Sequence, residues 1–251
     1  MKIIEICGPP CSGKTYVHDF LIKKFEKKFI SSNLLIFENA HLYLNLNFIE
    51  RIALLYFKYI KKNKFKENKI QRNYKKNLSK NRKQILNYFK FNLLSNYFLK
   101  KYQNVCSKFY DLYTIKNPTF AKLINNLLLK IKNKDLRNKN KIWIEECIFK
   151  YFIAKNINKK NTVVFDEGFA QRSSFLLYTG KNYKKDLKNY IVHKIKPDYL
   201  IFVDDKIFKL SKRSKFRKSL KLNSFIYKNE KEISIYKNFF KEYQNCLRKI
   251  I

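Results

Sequence analysis

Gly8-Pro9-Pro10-Cys11-Ser12-Gly13-Lys14-Thr15 spells G-x-x-x-x-G-K-T, and the setting of those eight residues decides the fold. Ile3, Ile4 and Ile6 precede them in a short apolar run, interrupted by Glu5, that reads as a buried strand. Val17, Phe20, Leu21 and Phe25 follow at the three- and four-residue spacing of a helix. A turn that grips phosphate needs this order. Backbone N–H groups between Gly8 and Gly13 wrap the anion, and the next helix turns its positive end toward it. In such a loop Lys14 reaches the terminal phosphates and the Thr15 hydroxyl binds magnesium. Gly8, Pro9, Pro10, Cys11, Ser12, Gly13, Lys14 and Thr15 are therefore the expected nucleotide contacts, and Thr15 an expected magnesium ligand. A plain glycine turn would not call for Lys-Thr at the helix start.

Working outward, four short runs read as parallel strands: 2–7, 33–37 (NLLIF), 162–166 (TVVFD) and 199–204 (YLIFVD). Helical stretches separate them, which is the alternation of an open α/β sheet. Ligands bind at the carboxyl ends of strands in such sheets, where Gly8, Glu38, Asp166 and Asp204 fall. The interval 41–158 reads as one large helical insertion within a single domain spanning 1–251. Its apolar stripes run over 42–60, 85–113 and 120–131, with a further helix over 141–156. Residues 61–83 are rich in Lys and Asn with Glu67 the only acid, the composition of a solvated loop or a basic arm. A last helix is expected over 229–247.

The third run ends in Asp166-Glu167-Gly168. Magnesium–nucleotide chemistry needs a carboxylate near the phosphate loop, and Asp166 is the expected metal ligand, with Glu38 and Asp204 as alternatives. Glu167 has three readings: it polarises water, takes a proton from a substrate hydroxyl, or pairs with a nearby cation. Arg172 lies on the first turn after this strand, where a guanidinium clamps an acceptor's phosphate or steadies the transferring group. Beyond the fourth run, seven of the positions 206–218 are Lys or Arg and none is acidic. This segment reads as a cationic lid that excludes water from a triphosphate, with Arg213 and Arg217 sharing a face if it is helical.

The chain has 251 residues and a formal net charge of +37. That field attracts nucleic acid and phosphorylated small molecules. The lysines come with abundant Asn, Ile, Phe and Tyr, all encoded by A/T-rich codons, so a compositional origin is the stronger reading and nucleic-acid binding the weaker. The Phe and Tyr residues read as helix packing rather than a base-stacking platform. Five cysteines without C-x-x-C spacing fit a reduced, cytoplasmic protein without a zinc site. No stretch of about 18 apolar residues predicts a membrane span, and the amino terminus does not read as a secretion signal. The oligomeric state is left open.

Taken together, GPPCSGKT at 8–15, VVFDEGFAQR at 163–172, PDYLIFVDD at 197–205 and KRSKFRK at 212–218 resemble P-loop kinases of the nucleoside and nucleotide kinase type, both thymidylate-kinase-like and adenylate-kinase-like. The resemblance implies a three-layer P-loop NTPase fold with sheet order 2-3-1-4-5. It implies ATP and Mg2+ on the loop and transfer of the γ-phosphoryl to a small acceptor: a nucleoside, a nucleotide or a sugar-like alcohol. It also implies that Arg172 touches the acceptor or the phosphates and that Arg213 and Arg217 belong to the lid; together with Lys14, Asp166 and Glu167 these are the candidate catalytic residues. The alternatives are an ATPase coupled to nucleic acid and a nucleotide-binding protein without turnover. Two features depart from the family. Asp-Glu-Gly-Phe stands where thymidylate-kinase-like proteins show Asp-Arg and an aromatic residue, which argues against thymidylate. The last helix also leaves a fifth strand short or absent.

Overall fold

Ile3–Cys7 forms β1, and all of its residues are buried. The computed structural model describes residues 2–26, 28–39, 42–44, 46–47, 82–157, 161–180, 183–219, 227 and 229–249, with 37–38, 82–96 and 217–219 in backbone only. The chain divides into two compact units, one of Met1–Phe37 with Ser107–Ile251 and the other of Glu38–Cys106.

The first unit is α/β. After β1 come α1 (Lys14–Lys24), β2 (Phe29–Ser31) and α2 (Ser32–Asn39). Next are α3 (Arg82–Lys116), which begins in the second unit, α4 (Pro118–Leu129) and α5 (Lys134–Ile157). Then follow β3 (Thr162–Phe165), α6 (Phe169–Arg172), a 3-10 turn over Ser173–Tyr178, α7 (Tyr183–His193), β4 (Tyr199–Phe202), α8 (Ile207–Ser219) and α9 (Glu230–Arg248). The four strands are all parallel and lie in the order β2-β3-β1-β4. Of the second unit, the described residues are the end of α2, 42–44, 46–47 and the part of α3 up to Cys106; Leu44, Leu46, Phe98 and Cys106 are its buried side chains.

β1 alternates its side chains between two helical layers, as a pleated strand must. Ile4 and Ile6 pack with Val164 against Val17, Leu21 and Ile22 of α1. Glu5 points the other way, where Tyr151 of α5 donates to it. On that second face Tyr151 also packs on Phe165 and Phe169, with ring centroids 4.6 and 5.4 Å apart, and Phe202 packs on Tyr243 of α9. The helix ends follow local chemistry. α3 stops at Lys116 because Asn117 precedes a proline and is pushed out of helical geometry, while Pro118 opens α4, where it sacrifices no helical hydrogen bond. Asn229 caps α9 by accepting the Glu232 N–H.

One expected strand is a helix. NLLIF at 33–37 belongs to α2, and the strand is Phe29–Ser31, the three residues before it. Ser32, Leu35 and Ile36 are buried while Asn33 and Leu34 are exposed, a three-and-four pattern that the bare run of apolar residues did not distinguish from a strand. Glu38 therefore lies within α2 rather than at a strand end, and its side chain is outside the described residues. The expected helix over 42–60 falls mostly outside the described residues, as does 61–81. No fifth strand occurs among the described residues.

The loop after β1 passes hard against β4. Gly8 has φ +148°, and a Cβ there would sit 2.0 Å from the Val203 carbonyl oxygen. Gly8→Ala is expected to destabilise the fold by about 2–4 kcal/mol, since both the strained conformation and the overlap with backbone must be relieved. Thermal unfolding checks this; a variant melting with the wild type would show that the loop does not pass this close to β4.

Candidate functional site

The loop between β1 and α1 is held by its carbonyl groups. The Lys14 ammonium donates to the Gly8 and Pro9 carbonyls at 3.0 and 2.8 Å. Tyr227 donates its hydroxyl to the Pro10 carbonyl at 2.9 Å. Arg213 of α8 donates to the Cys11 and Ser12 carbonyls at 3.2 and 3.4 Å and pairs with Asp205 at 2.8 Å. The Asp205 carboxyl is held below its ordinary value by the Lys206 N–H and by Lys209 and Arg213. Five successive carbonyls are thus taken by donors from α1, α8 and the segment before α9. Inside the loop, Ser12 N–H bonds the Pro9 carbonyl, Cys11 sits at φ +64°, and Gly13 forms the N-cap of α1. The Ser12 hydroxyl is buried and meets no hydrogen-bond partner among the described residues. That buried, unpaired oxygen carries the cost of an unmade bond until a ligand or water supplies one.

The turn after β3 faces this loop. A cavity of about 680 Å3 is lined by Gly13, Lys14 and Thr15 on one side and by Glu167, Gln171 and Arg172 on another. Lys139, Trp143, Tyr178 and Tyr236 close it further out. Arg172 is ion-paired with Glu167, and its guanidinium carbon lies 4.0 Å from the centre of the Trp143 ring. Lys139 lies 4.9 Å from the same ring. The Tyr178 and Tyr236 hydroxyls bond each other at 2.8 Å. Three cations and one carboxylate line the cavity; its field favours an anion, and cations over an aromatic face keep their donors available to a ligand.

Asp166 sits just beyond the end of β3, half-buried, and accepts from the Asn33 side chain at 3.3 Å. Asn33 in turn accepts from Lys150 at 3.3 Å, and Lys150 pairs with Glu146 at 2.8 Å. Burial alone would lower the Lys150 ammonium, but Glu146, with Cys147 and Asp166 adding to it, holds it above the usual lysine value. Asp204 is committed elsewhere. It pairs with Lys237 at 3.0 Å and lies on a second cavity, of about 460 Å3, that meets the loop at Gly8 and Pro9.

The structure therefore gathers Pro10, Cys11, Gly13, Lys14, Thr15, Glu167 and Arg172 around one cavity, with Arg213 on the loop itself. Asp166 and Asp204 do not line that cavity. The 206–218 segment is helical over its described part, and Arg213 already touches the loop; the Arg217 side chain is outside the described residues. Of the three readings of Glu167, the geometry displays the ion pair. Trp143, Gln171, Tyr178 and Tyr227 were not anticipated. Trp143 carried one signal, being the only tryptophan in the chain; the others make contacts no local pattern encodes. No family model matches the chain, and comparison with curated proteins and with solved structures gave no match.

Because Trp143 is the sole tryptophan, its emission reports on this cavity alone. Arg172→Ala should change the intensity of that emission in the ligand-free protein by removing the stacked guanidinium. Steady-state fluorescence decides this, and an unchanged spectrum would show that the stacking does not persist in solution.

Proposed function

We propose that the chain is a P-loop phosphotransferase that moves the γ-phosphoryl of Mg-ATP to a small acceptor. The observation that carries this reading is the single cavity shared by the loop and the turn after β3, lined by Lys14, Thr15, Glu167 and Arg172. Two further observations support it. The loop lies between the central strand β1 and α1, at the carboxyl edge of a parallel sheet ordered β2-β3-β1-β4, which is where such sheets bind ligands. The cavity volume falls in the range of about 300–1,000 Å3 common to small-molecule sites.

In this reading the triphosphate lies along the loop and the acceptor occupies the outer part of the cavity, toward Trp143 and Tyr178. The second cavity, at Gly8, Pro9 and Val203, is left for the nucleoside end of the donor. Lys14 exchanges its two carbonyl partners for phosphate oxygens, a stronger charge-assisted pairing. Arg172 turns toward the transferring group, and Glu167 keeps the guanidinium aimed. Arg213 tethers α8 to the loop, so that the basic helix shields the phosphates from water. Phosphoryl transfer asks for this kind of positioning and charge neutralisation rather than covalent catalysis.

Thr15, which lines the cavity, and Asp166, which lies outside it with one carboxylate oxygen held by Asn33, are the residues that would hold magnesium. Both offer the oxygen donors such an ion prefers, and water and phosphate would fill the rest of its shell. When bound, the ion neutralises charge that develops on the phosphate oxygens.

Titration calorimetry with MgATP tests the proposal. Lys14→Ala is expected to weaken binding roughly 10- to 100-fold, the worth of a charge-assisted hydrogen bond, while leaving the melting temperature near that of the wild type. Asp166→Asn should raise the magnesium concentration needed for half-maximal ATP consumption. A wild-type protein that gives no binding heat with MgATP would falsify the reading.

A further inference from the structure

Glu5 is the only charged residue in β1, and it is fully buried. Placing a carboxylate there costs several kcal/mol unless its oxygens are satisfied. They are satisfied by one short segment of chain and one tyrosine. The Ala170 and Gln171 N–H groups both donate to Oε1, the latter at 3.0 Å, and Tyr151 donates to Oε2 at 3.0 Å. Lys194, 4% exposed, supplies the nearby positive charge. Burial pushes the Glu5 carboxyl up and the Lys194 ammonium down, each partly offset by the other. The space is shaped for this carboxylate, since a Cβ on Gly168 would lie 2.5 Å from its carbon.

The same turn then reaches the loop. The Gln171 side-chain oxygen accepts the Gly8 N–H at 3.0 Å, in a buried bond between residues 163 apart in sequence. A continuous path therefore runs from the Glu5 carboxylate through Gln171 to the first glycine of the loop. Its middle link, Gln171, adjoins Arg172 in the turn that follows Asp166 and Glu167.

We propose that Glu5 and Gln171 are positioning residues that lock the turn after β3 to the phosphate loop and so fix the distance between Lys14 and Arg172. The hydrogen-bonded link stands on the geometry alone; its consequence for catalysis rests on the phosphotransferase reading above. A misplacement of about 1 Å between reacting groups can cost on the order of 100-fold in rate, so such a lock matters even though neither residue performs chemistry. Glu5 answers the question posed by an acid inside an apolar strand. Gln171 gives the loop a partner that no residue near it in sequence provides.

Two substitutions at 171 separate the link from general packing. Gln171→Met keeps the side-chain length and removes the acceptor; Gln171→Glu keeps an acceptor for the Gly8 N–H. Hydrogen exchange of the Gly8 amide, followed by NMR in the ligand-free protein, should be roughly fivefold faster in the Met variant, the loss of one net hydrogen bond. It should return toward the wild-type rate in the Glu variant. In kinetics, the Met variant should show a raised KM for MgATP and a lowered kcat, with the KM for the acceptor little changed. Glu5→Gln, if it folds, should loosen exchange at both Gly8 and Gln171. Unchanged Gly8 exchange in the Met variant, or equal exchange in the Met and Glu variants, would overturn the link. Exchange that responds as expected in a protein unable to bind MgATP would uphold the link and count against the phosphotransferase reading instead.

Discussion

Everything near the loop depends on β1 being hydrogen-bonded to a parallel strand on each side. A strand in that position delivers three chain exits to one edge of the sheet: its own at Gly8, that of β3 at Asp166, and that of β4 at Val203. The packing there is tight enough that only glycine fits at two positions. Gly8 is pressed against the Val203 carbonyl, and Gly168 against the Glu5 carboxyl. Both contacts tie loops of irregular backbone to the rigid sheet, which is how a scaffold places chemistry-bearing residues precisely enough to act together.

The backbone groups of the loop are engaged from the outside inward. Lys14, Tyr227 and Arg213 take the loop carbonyls, Gln171 takes the Gly8 amide, and Glu5 takes the first amides of α6. Each of these side chains comes from a different element. The loop conformation, including a cysteine at positive φ, is therefore over-determined by tertiary contacts rather than chosen by local preference, the condition under which strained backbone persists.

This division explains what could be read from the residues alone. The first, third and fourth strands and the helices over 85–113, 120–131, 141–156 and 229–247 are written in local periodicity, and they form close to where expected. NLLIF was misread because four adjacent apolar residues satisfy a buried strand and a helix equally; the strand position beside β3 is occupied by Phe29-Ile30-Ser31 instead. Asp166 was legible as an acid at a strand end, but its tie to Asn33 and through it to Lys150 was not, because those partners come from α2 and α5. Trp143 and Tyr227 belong to the same class. They reach the site over long sequence separations, and no spacing rule connects them to Gly8–Thr15.

The arrangement of the cations bears on how such a site would fill. Lys14 and Arg213 are both bonded to neutral carbonyls of the loop, and Arg172 is shared between Glu167 and the Trp143 ring. The loop carbonyls hold Lys14 and Arg213 at modest energy, because a hydrogen bond from a charged donor to a neutral acceptor is worth about 1.5–3 kcal/mol net. A polyanion would offer these two donors charged acceptors in place of the neutral loop carbonyls. Asp205 at Arg213 and Glu167 at Arg172 offset part of the positive charge gathered around the loop. Preorganisation of this kind costs little at the moment of binding, and it gives the two acids a structural purpose that holds whichever molecule occupies the outer part of the cavity.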